Sequence, residues 1–194
     1  MIGIERFDVD LGDATPSPNA MALINDASKL AQKLQNLPEH ERVPGLVTSP
    51  GNIAFRFLDA ISPHIHTETP RFCEWGSGVG VVTCLASLKG WNAIGIEIET
   101  RLVLEARRLA SAHRIQASFY EGSYKPDALF TSETTLETFE TEYGFGLFDF
   151  DIIYIYAWPA EKNRVTEAVA RYAKPGTIFM HYGGGLTCEA FRVV

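Results

Sequence analysis

From residue 71 to residue 182, short apolar runs alternate with stretches of helical periodicity, and no other feature of the chain constrains its fold as tightly. Strand, helix and strand in succession bury their apolar faces as a βαβ unit. The repetition therefore predicts an α/β fold, a Rossmann-like three-layer αβα sandwich with a mostly parallel sheet of five or six strands. Five strands are predicted, at residues 71–75, 92–97, 116–121, 150–156 and 177–182. Helices are predicted between them at 79–89, stopped by Gly90, at 100–113, and at 160–173, stopped by Pro175-Gly176. Residues 125–148 carry Glu133, Glu137, Glu140 and Glu142 among few apolar side chains and read as a solvated helix or loop.

The 194 residues, 46% of them hydrophobic, supply one sizeable core and are too few for two ordinary domains. Residues 50–194 carry the α/β pattern. Residues 1–49 are expected to form a helical extension: Ala22, Leu23, Leu30, Leu34 and Leu37 recur at three- and four-residue steps over 19–37, and Pro38 ends the helix. Thr48 and Ser49 ahead of Pro50 predict the start of a second helix, since a hydroxyl can accept an orphan amide bond and proline suits the first turn. Ser62-Pro63 stops it.

With 24 acidic residues against 17 basic ones the formal net charge is −7, so long-range attraction to a polyphosphate is weak or repulsive and nucleic acid is a disfavoured partner. Arg101, Arg107, Arg108 and Arg114 fall at helical spacing and read as a solvated face. No apolar run approaches the roughly 18 to 20 residues of a transmembrane helix, and the acidic N-terminus lacks the build of a secretory signal. Cys73, Cys84 and Cys188 are odd in number, and the first two sit in apolar runs. Reduced thiols in a cytoplasmic setting are expected.

The segment E-W-G-S-G-V-G, from Glu74 to Gly80, lies where a predicted strand meets a predicted helix. Gly76, Gly78 and Gly80 permit a sharp turn and a close backbone approach to a ligand, and the following helix is expected to aim free amides at it. Glycines also serve plain strand-to-helix packing, so a second element is needed. Glu97 provides one, at the end of the next strand in G-I-E-I-E, 21 residues beyond Gly76. Adjacent parallel strands end side by side, so its carboxylate is expected to face the same crevice and accept bonds from ribose hydroxyls. Glu99 is expected to open the next helix.

A dinucleotide turn reads G-x-G-x-x-G, and counted from Gly76 its third glycine falls on Val81. A NAD-dependent oxidoreductase is thus an alternative that Glu97 favours and Val81 opposes. An acid followed by G-x-G-x-G resembles the first motif of the class I S-adenosylmethionine-dependent methyltransferases, and the resemblance extends over residues 50–182. E-W-G-S-G-V-G, G-I-E-I-E and I-I-Y-I-Y-A-W-P are also similar to the protein-lysine methyltransferase branch.

That resemblance implies S-adenosyl-L-methionine as cofactor. It places the methionine part on Glu74, Gly76, Ser77, Gly78 and Gly80, the ribose on Glu97 and the adenine against Ile98. Where the family often has an acid for the adenine amino group this chain has Ser123, in E-G-S-Y, with Glu121 as the candidate if the register shifts by two. The family also adds an antiparallel strand pair after the fifth strand. Here residues 183–194 leave room for one short strand, at 189–194, so a shortened pair is expected, with an exposed edge able to pair with a second copy of the chain.

The acceptor side is expected at the ends of the fourth and fifth strands, on Tyr156, Trp158, His181 and Tyr182. Aromatic groups there either enclose an amine or sit at the rim of the core, and the sequence leaves both roles open. The nucleic-acid amino-methylating pattern of Asn or Asp before Pro-Pro-aromatic is replaced by Ala157-Trp158-Pro159-Ala160, and no cysteine follows a proline as a cytosine C5 nucleophile would. His64, His66 and Glu68 lack a third ordered ligand, and no metal is expected. The expected activity is methyl transfer to a nucleophile, protein side chain or small molecule, that the sequence does not specify. A non-catalytic cofactor-binding module is the alternative.

Overall fold

The computed structural model describes residues 3–124 and 144–194, so most of the predicted solvated stretch at 125–148 lies outside the described residues. Seven strands form one sheet: β1 Ile4–Phe7, β2 Arg71–Trp75, β3 Asn92–Glu97, β4 Ser118–Glu121, β5 Ile152–Ile155, β6 Ile178–Gly184 and β7 Thr187–Val193. Their order across it is β1-β7-β6-β5-β2-β3-β4. β2 to β6 run parallel, and β7 runs antiparallel to both of its neighbours. The predicted α/β architecture is the one observed, with mostly parallel strands and an antiparallel C-terminal pair.

Helices α1 Pro18–Gln35, α2 Gly51–Ile61, α3 Val81–Leu88 and α4 Thr100–Ala112 contribute to the core on one face, and α5 Lys162–Tyr172 to the core on the other. In α1 the buried Ala20, Leu23, Ile24, Ala27, Ala31 and Leu34 keep the helical step, while Ser17 accepts the Ala20 amide and Pro18 occupies the first turn. α1 packs on α2 closely enough that a Cβ on Gly51 would meet Ile24 at 2.8 Å. The ring of Tyr154 on β5 faces the same layer, with Phe57 of α2 at 6.3 Å between centroids.

Three local expectations are corrected. Ser49 does not cap α2 through its hydroxyl. That hydroxyl accepts from buried Tyr154 at 2.7 Å instead, tying the start of α2 to the middle of the sheet. The C-terminal strand spans seven residues, beginning at Thr187 ahead of the expected 189. Its outer edge is taken by β1, with Ile4 opposite Val193 and Phe7 opposite Ala190, so the chain's own N-terminal residues cover the edge expected to stand open. β1 itself escaped the sequence reading because I-E-R-F alternates too briefly to signal a strand.

The chain leaves the central strand β2 for β3 and β4 on one side, then crosses to β5 and β6 on the other. A parallel sheet wound this way opens a crevice beyond the carboxyl ends of its strands, at the point where the direction reverses. Glu97, the E-W-G-S-G-V-G turn and the residues after β5 all emerge there. Among the described residues no helix is long and apolar enough to cross a membrane.

Candidate functional site

A cleft of about 650 Å³ occupies that crevice. It is lined by Gly76 and Gly78 of the turn, Glu97 to Glu99, Ser123 and Tyr124, the run Tyr156 to Pro159, Glu161 and Lys162, His181, and Glu189. The loop Val43 to Val47 forms the facing wall. Of the residues singled out in the sequence, Gly76, Gly78, Glu97, Ile98, Ser123, Tyr156, Trp158 and His181 therefore meet in one space. Glu74, Ser77, Gly80 and Tyr182 stand behind its walls.

The turn is built by committing its amides internally. Gly76 and Ser77 both donate to the Ile96 carbonyl at 2.9 Å, and Gly80 donates to Ser77 at 2.8 Å. Gly78 donates to Glu97 Oε2 at 2.8 Å, and Thr83 donates from both its amide and its hydroxyl to Glu74 Oε2. Of the helix amides expected to face a ligand, that of Thr83 is taken by Glu74. The turn offers close backbone approach instead. At Gly76, with φ of +74°, a side chain would press on Tyr124 at 3.3 Å. Gly80 serves packing, since a Cβ there would lie 2.6 Å from the Phe119 ring.

Glu74 is buried beneath the turn, and burial pushes its carboxyl up to about 8 against the two hydrogen bonds from Thr83. Glu97 is also buried, yet each of its oxygens accepts one backbone amide, Gly78 on Oε2 and Glu99 on Oε1 at 3.0 Å. A carboxylate oxygen has two lone pairs, so both retain capacity for a ligand hydroxyl. Glu99 opens α4 as expected. Ile98, 52% exposed, lies on the cleft floor next to Leu102. Glu121 ends β4 opposite Glu97 in the sheet register but is exposed and outside the cleft.

At the other end Tyr156 packs edge-on against Tyr182, with centroids 4.7 Å apart, and the Tyr182 hydroxyl donates to the Gly185 carbonyl. Trp158 is 51% exposed and lies against the loop opposite, where a Cβ on Gly45 would sit 3.6 Å from its ring. His181 is buried. Its Nδ1 lies 3.2 Å from Glu189 Oε2, which also takes Lys162 Nζ, while Arg6 of β1 reaches Glu189 Oε1 at 3.2 Å. Burial lowers the His181 pKa despite the Glu189 hydrogen bond, so the ring is neutral at neutral pH. Its Nε2 completes no hydrogen bond, although the Ala157 carbonyl is close enough to favour the charged ring.

The sequence reading missed Tyr124, Glu161, Lys162, Glu189 and the loop 43–47. Lys162 and Glu189 meet only through the fold. The loop did carry a signal: V-P-G-L-V is an apolar turn between two helices, which a solvated connection would not need.

No protein-family model and no curated protein matches the sequence. Solved structures do match in fold. An RNA methyltransferase from Salinibacter ruber, in complex with S-adenosyl-L-homocysteine, superposes with a TM-score of 0.55 at 19% identity, over 75% of this chain and 92% of that one. An O-methyltransferase from Bacillus cereus, in complex with the same compound, superposes with a TM-score of 0.58 at 18% identity, over 86% of this chain. A putative O-methyltransferase from Klebsiella pneumoniae gives 0.54 at 19%. The chain spans 66% of the length of each of these O-methyltransferases. It has the fold of the class I S-adenosylmethionine-dependent methyltransferases.

Proposed function

We propose that the chain transfers a methyl group from S-adenosylmethionine to a nucleophile held at the Tyr156 and Trp158 end of the cleft. One observation carries this reading. The glycine turn, Glu97 and the aromatic run after β5 converge on a single cleft whose volume suits a small-molecule ligand. The residues fit the cofactor: Glu97 keeps an acceptor site on each oxygen for the ribose hydroxyls, and Gly76 and Gly78 let the chain pass without a side chain in the way. Ile98 and Leu102 offer an apolar surface for adenine, and Ser123 one hydrogen bond at its edge. Glu74, Ser77 and Gly80 act from behind by fixing the turn, and Tyr182 by bracing Tyr156.

Bound there, the cofactor supplies a sulfonium methyl for in-line displacement by an acceptor lone pair, the S–C electron pair staying on sulfur. The protein's part is to align the acceptor, and alignment alone lowers such a barrier substantially. A pyrophosphate-bearing dinucleotide fits less well, because it wants free amides at the turn and here those of Gly76, Ser77, Gly78 and Gly80 are committed.

Calorimetric titration with S-adenosylhomocysteine and NAD, followed by transfer of labelled methyl from S-adenosylmethionine, tests the reading. Binding of the first ligand and not the second, with transfer to an acceptor, is expected. No binding of S-adenosylhomocysteine at millimolar concentration overturns it, and binding without transfer to any nucleophile identifies a non-catalytic module.

A further inference from the structure

The acceptor end of the cleft contains two carboxylates in different states. Glu189 is fully engaged, with Lys162 and His181 on one oxygen and Arg6 on the other. Glu161 is not. Its carboxyl is approached by the Tyr124 hydroxyl, but its Oε2 is buried without a hydrogen-bond partner, and among the described residues no cation pairs with it. A shielded carboxylate oxygen without a partner is expensive, and a ligand that brings a positive donor relieves that cost.

The surroundings select the kind of donor. Glu161 and Trp158 belong to one tight turn, in which the Glu161 amide donates to the Trp158 carbonyl at 2.8 Å and Lys162 donates to it at 3.2 Å. The indole and the carboxylate are thus presented together. Tyr156 and Tyr124 add two further rings to the lining. Charge points the same way: among the described residues Glu97, Glu99, Glu161 and Glu189 line the cleft, the single lysine there is committed to Glu189, and His181 is neutral. An anionic acceptor is repelled from such a space, whereas a cation beside aromatic faces and a carboxylate that has no cation of its own is held twice over.

Resting on the methyltransferase reading, we infer that the methyl acceptor is an alkyl amine, received as its ammonium ion between Trp158 and Tyr156 with the charge against Glu161. Only the neutral amine has a lone pair to alkylate. The bound ammonium therefore gives one proton to water before the N–C bond forms, and the positive charge passes from sulfur to nitrogen in the transfer, so the N-methylated product leaves as an ammonium ion. Glu161 stabilises the cation, so it governs affinity for the amine, and kcat/KM rises with pH until the amine is neutral.

The test uses the whole chain saturated with S-adenosylhomocysteine and titrated with n-butylamine, n-butanol and butyrate, with calorimetry and tryptophan fluorescence as readouts. An acetylated Gly-Gly-Lys-Gly-Gly amide is titrated in parallel, to tell a peptide lysine from a free amine. Amine binding without binding of the alcohol or the acid is expected. Glu161→Gln should weaken it roughly ten- to hundredfold, the loss of one hydrogen bond to a charged group. Affinity for S-adenosylhomocysteine should be unchanged. Trp158→Leu should weaken amine binding as well and remove most of the fluorescence response, since Trp75 and Trp91 are buried. Equal binding of alcohol and amine, or unchanged amine affinity in folded Glu161→Gln and Trp158→Leu, overturns the inference. A loss confined to S-adenosylhomocysteine affinity in Glu161→Gln also overturns it, by assigning the carboxylate to the cofactor's own ammonium. Binding of S-adenosylhomocysteine to the unaltered chain is read separately, so failure here leaves the methyltransferase reading standing.

Discussion

Two glycines of one turn are expected to fail in opposite ways when each is changed to alanine. At Gly80 the added Cβ would lie 2.6 and 2.7 Å from two atoms of the Phe119 ring and 2.8 Å from the Ala106 Cβ, where carbon atoms prefer about 3.5–4.0 Å. Phe119 cannot retreat, because it is buried and its ring also fills the space a Cβ on Gly95 would take, at 2.8 Å. Overpacking of this kind costs about 1–3 kcal/mol. The φ of +81° adds strain of roughly 1–2 kcal/mol for a residue with a Cβ. Gly80→Ala should therefore lose about 2–5 kcal/mol, and at about 2–4 °C per kcal/mol for a chain of this size its melting point should fall by roughly 5–15 °C.

Gly78 also has a positive φ, +53°, but the nearest atom to an added Cβ is Leu46 Cδ1 at 3.8 Å, an ordinary contact. Only the backbone strain remains, roughly 1 kcal/mol. The new methyl would protrude into the cleft that Gly78 lines and Gly80 does not. Urea unfolding and titration with S-adenosylhomocysteine on the same two proteins read the contrast. Gly80→Ala should be unstable with normal affinity per folded molecule, and Gly78→Ala should be nearly as stable as the parent with weakened affinity. A Gly80→Ala protein within about 1 kcal/mol of the parent refutes the packing argument, and unchanged affinity in Gly78→Ala removes that glycine from the ligand's path.

Glu97→Ala should weaken S-adenosylhomocysteine binding by about 1.5–3 kcal/mol, the range for hydrogen bonds to a charged group, and an unchanged dissociation constant would exclude the ribose role. Glu74 is protonated in the native state up to about 8 but ionises near its ordinary 4.5 when unfolded, so the stability it contributes is complete below 4.5 and is lost as pH rises towards 8. The urea midpoint should fall across that window, and Glu74→Gln, which cannot ionise, should flatten the profile. An equally steep profile in the variant refutes the assignment. Trp158→Ala should lower methyl transfer while costing under about 1 kcal/mol, because the ring is half exposed and lies on the cleft; a loss of about 3–5 kcal/mol, usual for a core aromatic, would return it to the rim of the core.

The parts of this molecule that were legible in advance are those in which one segment of sequence answers one structural question. The alternation from residue 71 onward fixed the parallel sheet because strand and helix periodicities differ and neither depends on distant residues. Glu97 was legible because adjacent parallel strands must end together, so sequence distance translated into spatial neighbourhood. β1 was not, because four residues with the pattern I-E-R-F become a strand only when β7 offers an edge. The Ser49 hydroxyl has a local use as a helix cap and a distant one as the partner of Tyr154, and the distant one prevails because a buried phenol left without a partner costs more than an uncapped amide near solvent.

The glycine motif marks a more general boundary. Its residues divide into those that line the cleft, Gly76 and Gly78, and those that hold these two in place, Glu74 through Thr83 and Gly80 against Phe119. Both groups are needed for the turn, so both belong to the motif, and sequence spacing does not separate them. Which glycine faces the cleft is decided by how α4 and β4 pack against the turn, since Ala106 and Phe119 close the space around Gly80 and leave that around Gly78 open. The acceptor end is less legible still. Tyr156 and Trp158 lie on one short run and could be found together, but the difference between Glu161 and Glu189 rests on Lys162, His181 and Arg6, which come from α5, β6 and β1. A carboxylate's availability is set by which cations the fold brings to its neighbour, and that choice determines whether the cleft receives an amine.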